Sequence, residues 1–410
     1  MIKAIHIFDD DKFVDYAIKL FEASNTSNFV YKYFVIGNSN TFGYVNSSLA
    51  IPLDLSEEKA SKNFVQNIHK EKIQVVHIHV LNQRKFEIIE LLNPEVLIVW
   101  YCWGYDLYQQ WFPFKQRIYE KETFKYIHRH EPIKRKVLNK VIQNSVIYNW
   151  LRKTDYKNNK RNNWFLKKIY ECHPKRYQDC FNKVKIVVPV LETEMTYLHQ
   201  LNNEFKFSPF AYGTLREFLN KENFEVFNYS LGDNILVGNS ANPTNNHVEV
   251  FIKLSKINLK NRKVIVPLSY SGSEDYITYV LLKGKELLGA NFSPILNFIE
   301  LEEYNKILLS CRIVFFNHIR QQAMGNIITL GYMGATLFIN KKSPVHKFLK
   351  DNEFIHYTID DLNIVLLNAE LEENIKKKNR LVLEDLYSFE KVLKKVQSLN
   401  RIVKSNLFTA

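Results

Sequence analysis

The chain has 410 residues, 46% hydrophobic and 24% charged, which exceeds one ordinary core, so two domains are expected. Its longest apolar run, Val96–Trp103, has eight residues, well short of the roughly 20 that a membrane-spanning helix needs. The net charge of +13 is concentrated: residues 115–176 hold 18 Lys/Arg against 5 Asp/Glu, a surplus equal to that of the whole chain.

Met1–Asp10 is strand-like and runs into acids, without the basic and apolar regions of a secretory signal, so a cytoplasmic protein is expected. Cys102, Cys172, Cys180 and Cys311 are scattered, which suits free thiols in a reducing compartment better than a disulfide framework. Cys172-His173 with Cys180 lacks a second ligand pair nearby, and no other cluster has metal-ligand spacing. Neither a metal nor a cofactor is expected.

In chain order, Lys3–Phe8 is an apolar strand, followed by Asp9-Asp10-Asp11 and a helix to about Glu22 with Phe13, Ala17, Leu20 and Phe21 on one face. Tyr31–Ile36 is a second strand, closed by Gly37-Asn38. A helix over 57–70 leads to the strand Ile73–Val80. A helix over 86–92, stopped by Asn93-Pro94, leads to the strand Val96–Tyr101. That strand ends in Trp103-Gly104-Tyr105-Asp106-Leu107-Tyr108. The basic stretch follows, with apolar positions that suit amphipathic helices. Lys185–Val190 then returns to a strand and Glu192–Leu201 to a helix. A first domain over 1–212, with a basic, aromatic-rich insertion at about 115–176, is the expected unit.

A second series of strands and helices occupies 213–384. Its strands are Asn234–Val237, Lys263–Leu268, Arg312–Phe316, Ala335–Ile339 and a short Phe354–Tyr357. Its helices lie at 248–256, 275–288 and 302–310, with one more opening near Met324-Gly325. One or two charged amphipathic helices over 371–404 close the chain. Strands and helices alternating at this spacing predict an α/β fold of two Rossmann-like parallel sheets.

Glycine is scarce, and eight of the 12 fall within 232–334. Gly238, Gly272 and Gly325 stand at or just past strand ends, where backbone must approach a ligand closely. Gly238–His247 (GNSANPTNNH) either presents Asn239, Ser240, Asn246 and His247 to phosphate or sugar, or is a polar cap for its own helix. Ser269, Tyr270 and Gly272 end the next strand. His318, Arg320, Gln321 and Gln322 precede a helix start at Gly325-Asn326, an arrangement suited to a diphosphate. No Walker A or GxGxxG sequence occurs, which disfavours a nucleoside triphosphatase or a dinucleotide enzyme.

In the first domain, Trp103, Gly104 and Asp106 form the candidate acceptor side, with Asp106 as general base and Trp103 stacked on a sugar face. The bland alternative is a capping Asp beside a core Trp. Asp10 is the second candidate base, although helix capping also explains one member of its acidic triplet. His77 and His79 alternate on a strand and read as a satisfied pair. The basic stretch interleaves cations with Tyr148, Trp150, Tyr156, Trp164, Phe165 and Tyr170, a mixture suited to an anionic membrane surface or simply to water. It matches no nucleic-acid motif, and no nucleic-acid partner is expected.

VGNSANPTNNH (Val237–His247), VPLSYSGSEDYI (Val266–Ile277) and NHIRQQAMGNIITLGYMGA (Asn317–Ala335) resemble signatures of glycosyltransferase family 56, and WGYDLY (Trp103–Tyr108) is similar to that family's first-domain pattern. This is the family of the Fuc4NAc transferase of enterobacterial common antigen synthesis. The resemblance implies a GT-B architecture, with two Rossmann-like domains facing each other across a cleft and a last helix, within 385–410, crossing back to the first. It further implies a dTDP-activated deoxyamino sugar as donor and an undecaprenyl-diphosphate-linked oligosaccharide as acceptor. Such an enzyme would sit at the cytoplasmic face of the bacterial inner membrane as a peripheral protein. Arg320 would then stabilise the leaving diphosphate. Two rivals remain at this stage: a GT-B-like epimerase or phosphorylase acting on soluble sugars, and a non-enzymatic surface-binding protein.

Overall fold

The computed structural model describes residues 1–25, 28–37, 41–57, 59–108, 117–129, 140–142, 144–153, 164–219 and 231–408. The chain forms two compact units. One comprises Met1–Lys115, His130–Tyr212 and Leu393–Ala410; the other comprises Gln116–Arg129 and Gly213–Val392. Residues 116–129, expected within the insertion of the first domain, thus belong to the second unit. Much of the remaining insertion, including Tyr156, lies outside the described residues.

The first unit is built on strands β1 (Ile2–Asp9), β2 (Phe29–Ile36), β3 (Ala50–Leu53), β4 (Val75–His79), β5 (Leu97–Cys102), β6 (Val184–Pro189) and β7 (Lys206–Phe207). They pair in the order β3-β2-β1-β4-β5-β6-β7, all parallel. The central strands are near-continuous apolar runs because helices cover both faces of such a sheet. The order reverses direction between β1 and β4, which opens a crevice at their carboxyl ends.

The second unit repeats this plan with β8 (Asn234–Val237), β9 (Val264–Pro267), β10 (Phe292–Ile295), β11 (Cys311–Phe316), β12 (Thr336–Ile339) and β13 (Tyr357–Thr358). The order is β10-β9-β8-β11-β12-β13, again parallel, with its reversal between β8 and β11. The short strands β3, β7 and β10 have no counterpart in the sequence reading. Each lies at or beside a sheet edge, and β3 and β10 carry prolines that only edge positions tolerate. The closing amphipathic segment is two helices, Glu373–Tyr387 and Phe389–Phe408. No described helix is long and apolar enough to cross a membrane.

The core of the first unit is unusual in holding three fully buried histidines. His6 on β1 stacks on His77 of β4 with ring centroids 4.1 Å apart, and its Nδ1 lies 3.0 Å from His79 Nε2. His77 Nδ1 meets the Tyr101 hydroxyl at 2.9 Å, and His79 Nδ1 meets that of Tyr212 at 2.6 Å. Burial pushes all three rings below their ordinary pKa, His77 to about 3, and His79 is further disfavoured as a cation by Lys85. The rings are neutral when folded but free to protonate near 6.5 when unfolded. The unfolded chain therefore binds more protons as pH drops, and stability is lost from pH 6.5 downward. Each ring contributes a slope of up to about 1.4 kcal/mol per pH unit. Urea unfolding between pH 7.5 and 5 should show a steep loss of stability on acidification; a flat profile would show the rings to be solvated.

Candidate active site

Two loops meet at the reversal point of the second sheet. β8 runs into Gly238–Asn246 and β11 into Asn317–Ala323. Strand ends leave backbone groups that must find partners when buried, and here one buried side chain supplies many of them. Asn245 donates from Nδ2 to the carbonyls of Ser240 (2.9 Å) and Asn242 (2.9 Å) and to Ser240 Oγ (3.2 Å). Its Oδ1 accepts from the Asn239 N–H (3.0 Å) and from His318 Nε2 of the other loop (2.8 Å). Gly238, at φ +72°, lies directly above. A Cβ there would stand 2.6 Å from Asn245 Oδ1 and 2.9 Å from His247 Nε2, so this position admits no side chain.

Further bonds fasten the loops together. Thr244 Oγ1 donates to Gln322 Oε1 (2.6 Å), and Gln322 Nε2 donates to Asn239 Oδ1 (2.9 Å). Arg320 Nε reaches Thr244 Oγ1 at 3.4 Å. The loop after β9 joins this body through the Ala241 N–H and Tyr270 carbonyl (2.8 Å). Gly272, at φ +92°, presses so closely on Ala241 that a Cβ would lie 2.3 Å from its carbonyl oxygen.

The helix Met324–Tyr332 starts beside this body. Its N-cap, Ala323, is left-handed (φ +61°) and offers no side-chain acceptor, and the first turn has no acidic residue. The first-turn N–H groups therefore carry their partial positive charge without a capping side chain, and Arg320 stands four residues before the helix start. This is the electrostatics of a phosphate site.

The structure divides the expected donor residues by task. Asn246, Ser240, His247, His318, Gln322 and Asn239 spend their side chains building the crevice rather than facing a ligand. Asn246 is fully buried in a left-handed conformation. It accepts from the Glu120 N–H (2.8 Å) and donates to the carbonyls of Asn317 (2.9 Å), Thr244 (3.1 Å) and Ile118 (3.4 Å). It therefore docks the segment around Glu120. Glu249 supports this by accepting from Thr123 N and Oγ1 (2.8 and 2.9 Å), as does the Lys342–Glu120 ion pair (2.8 Å). His247 is held down to about pKa 3 by burial. His318 is kept neutral by burial and then by Arg320. Asn326 gives its amide to the Tyr304 hydroxyl (3.2 Å). Ser269, Gly272 and Tyr270 (74% exposed) remain open to solvent. Arg320 and Gln321 are nearly buried just before the helix start, and Gly325 is half-buried within it. Thr244 and Asn245 were missed because nothing in the run NPTNN distinguishes inward from outward side chains, and Asn317 because a lone Asn after a strand reads as an ordinary loop residue.

In the first unit the two expected bases have other duties. Asp106 is 0% exposed. Its Oδ2 accepts from the Leu81 N–H (2.9 Å) and the Trp100 indole (2.8 Å), and its Oδ1 from the N–H groups of Trp103 (2.8 Å) and Leu107 (3.1 Å). Burial raises its pKa, and these bonds oppose the rise. With no path to a substrate hydroxyl, Asp106 cannot serve as the base and instead organises the WGYD turn, where Gly104 takes φ +79°. Asp10 likewise accepts from the N–H groups of Gly43 (2.5 Å), Tyr44 (3.1 Å) and Val45 (3.3 Å).

Their neighbours are better placed. Asp9 receives Lys85 Nζ at 2.8 Å, although the Lys85 side chain is itself wholly buried and also donates to the His79 carbonyl (2.5 Å). Asn82 adds its amide to Asp9 at 3.3 Å. Val80, a β-branched residue at φ +59°, turns the chain at this point, a strain that such residues adopt rarely. Asp11 accepts from the Phe13 N–H (3.0 Å), and burial raises its pKa. Close by, Phe13, Trp103 and Tyr212 form an edge-to-face aromatic group, with Trp103 at 5.7 Å from Phe13 and 4.8 Å from Tyr212. Trp103 is half-buried in this group.

Solved structures share this plan over the full chain. Sucrose-phosphate synthase from Thermosynechococcus elongatus matches with a TM-score of 0.56 at 9% identity, covering 99% of this chain and 100% of that one. A glycosyltransferase from Rickettsia africae ESF-5 matches at 0.55 and 11%, covering 99% of each. Trehalose 6-phosphate synthase from Burkholderia multivorans matches at 0.56 and 6%, covering 100% and 98%. Identities this low show a shared fold. With these neighbours, the two doubly wound units define the α/β architecture of a GT-B glycosyltransferase. A family model described as 4-alpha-L-fucosyltransferase, glycosyl transferase group 56, matches residues 194–383 and supports placing the chain in that family. The protein is a glycosyltransferase.

Asp106→Asn discriminates the structural role from the catalytic one. The new amide would face two N–H donors with its own, and a loss of about 3 kcal/mol in unfolding free energy is expected. The folded fraction should keep the wild-type pH–rate profile; a stable variant without activity would restore Asp106 as the base.

Proposed function

We propose that the protein transfers a Fuc4NAc-like deoxyamino sugar from a dTDP-sugar to a hydroxyl of an undecaprenyl-diphosphate-linked oligosaccharide. The reaction would take place at the cytoplasmic face of the bacterial inner membrane, in surface polysaccharide synthesis of the enterobacterial common antigen type. The observation that carries a nucleotide-sugar donor is the uncapped helix start at Met324-Gly325 beside Arg320, at the reversal point of the second sheet. The match to a family described by a fucosyl transfer supports a deoxy sugar.

In the transfer step the acceptor oxygen bonds to the anomeric carbon, and the bond from that carbon to the diphosphate oxygen breaks. Negative charge develops on the departing diphosphate. Arg320 and the first-turn N–H groups meet it in a largely dehydrated corner, where such donors need no reorganisation. The acceptor hydroxyl proton passes to a carboxylate at the end of β1. Asp11 takes this role in place of Asp106 and Asp10, whose oxygens are occupied by backbone N–H groups, and its raised pKa makes it a better proton acceptor near neutral pH. Asp9, fixed by Lys85 and Asn82, orients the hydroxyl.

A thermal-shift screen of UDP, GDP, dTDP and CMP should show selective stabilisation by dTDP; a preference for GDP would overturn the donor. In a transfer assay, Arg320→Ala should lower kcat by about 10²–10³-fold with the fold intact. Asp11→Asn should lower it by about 10²–10⁴-fold and abolish the acidic limb of the pH–rate profile. Unchanged turnover in either variant removes the corresponding assignment.

A further inference from the structure

The first unit carries a feature that sugar transfer itself does not use. Helices Ser145–Lys153 and Trp164–Cys172 enclose a small core of Ile142, Leu151 and Ile169. The pair is anchored from one side. Tyr148 is buried and stacks on His173 at 4.1 Å, Tyr170 reaches Glu90 (3.4 Å), and Arg152 pairs with Asp179 (2.8 Å). Arg176 grips Glu90 at 2.7 Å just beyond the second helix.

Three apolar side chains of the pair stand open to solvent, where helices normally present polar ones. Val146 is 77% exposed and Trp150, one turn further on, 56%; Phe165 on the second helix is 40% exposed. Residues four apart share a helix face, so Val146 and Trp150 form one stripe, which Lys153 continues. Lys140, Lys153, Lys167, Lys168 and Lys175 are the described lysines on and beside these helices, with Lys167 paired to Glu171 at 3.8 Å. An aliphatic and two aromatic side chains framed by cations fit a lipid headgroup boundary, where rings sit among headgroups and cations meet phosphates. A nucleic acid would use the charges and rings but gain nothing from Val146.

We propose that this face of the helix pair is a membrane seat, with Val146, Trp150 and Phe165 entering the headgroup–acyl boundary of an anionic bilayer and the surrounding lysines binding lipid phosphates. The proposal extends the reading of a lipid-linked acceptor by naming the surface that would bring the enzyme to it. Its test uses no sugar, so the two can fail separately.

The full chain is sedimented with vesicles of phosphatidylcholine alone and of phosphatidylcholine mixed with phosphatidylglycerol. Binding should require the anionic lipid and weaken with salt. Lys153→Glu and Lys167→Glu should each weaken it by roughly fivefold or more. Trp150→Ser combined with Phe165→Ser should weaken it further, while the thermal unfolding midpoint without ligand stays unchanged as a control for folding. Bromine-labelled acyl chains should quench a tryptophan signal that disappears in Trp150→Phe. Equal vesicle binding by wild type and variants, or the absence of that quenching, would overturn the proposal. Binding to an oligonucleotide without binding to vesicles would assign the face to nucleic acid instead.

Discussion

The candidate donor site depends on one buried amide. Asn245 has no solvent contact, yet it ties its own loop together and, through His318, ties that loop to the one after β11. An amide left unsatisfied at such a place would cost about 1–3 kcal/mol for each lost partner, so the arrangement is stable only when complete. Completeness demands a neighbour without a side chain at Gly238 and a proton on His318 Nε2, since an amide oxygen can only accept. On the reading proposed above, the same bonds would hold the helix start at Met324 in place for a diphosphate without rearrangement, as electrostatic stabilisation of a leaving group requires.

The first unit applies the same economy to charge. Four carboxylates crowd the ends of β1 and β5, and two of them are fully engaged by backbone N–H groups. A carboxylate surrounded by donors holds a turn well and cannot accept a substrate proton. Lys85 is buried beneath Asp9, and that carboxylate, the His79 carbonyl and the nearby Asp106 charge offset its desolvation. The ion pair fixes Asp9 at a place where the backbone is already strained at Val80. Roles at this corner therefore follow from which oxygens are already occupied, and residue type alone does not reveal them.

The periodic elements were legible because burial on both faces leaves long apolar strands and three-to-four spaced helices. β8 begins and ends where its NILV sequence places it, and the glycine-bearing loop after β8 bonds both to the loop after β9 and to the loop after β11. Edge strands such as β10 escaped because their FSPI sequence carries half-buried residues and a proline. The docking of Glu120 and Thr123 in the second unit was invisible, since Asn246 and Glu249 look like ordinary capping and surface residues. Trp103-Gly104-Tyr105-Asp106 was recognised as a strand-end motif, but only the hydrogen bonds show that its carboxylate faces inward. Lys85 gave no sign at all: a lysine beside Phe86 on a helix reads as a solvated residue.

The central claim is that the strand ends of the second unit bind the nucleotide sugar. Hydrogen–deuterium exchange with and without dTDP-sugar measures this directly. Protection confined to peptides covering 238–247, 269–273 and 317–326, and strongest at the start of helix Met324–Tyr332, is the predicted result. Protection absent from those peptides, or centred on the carboxyl ends of β1 and β4 instead, would contradict it.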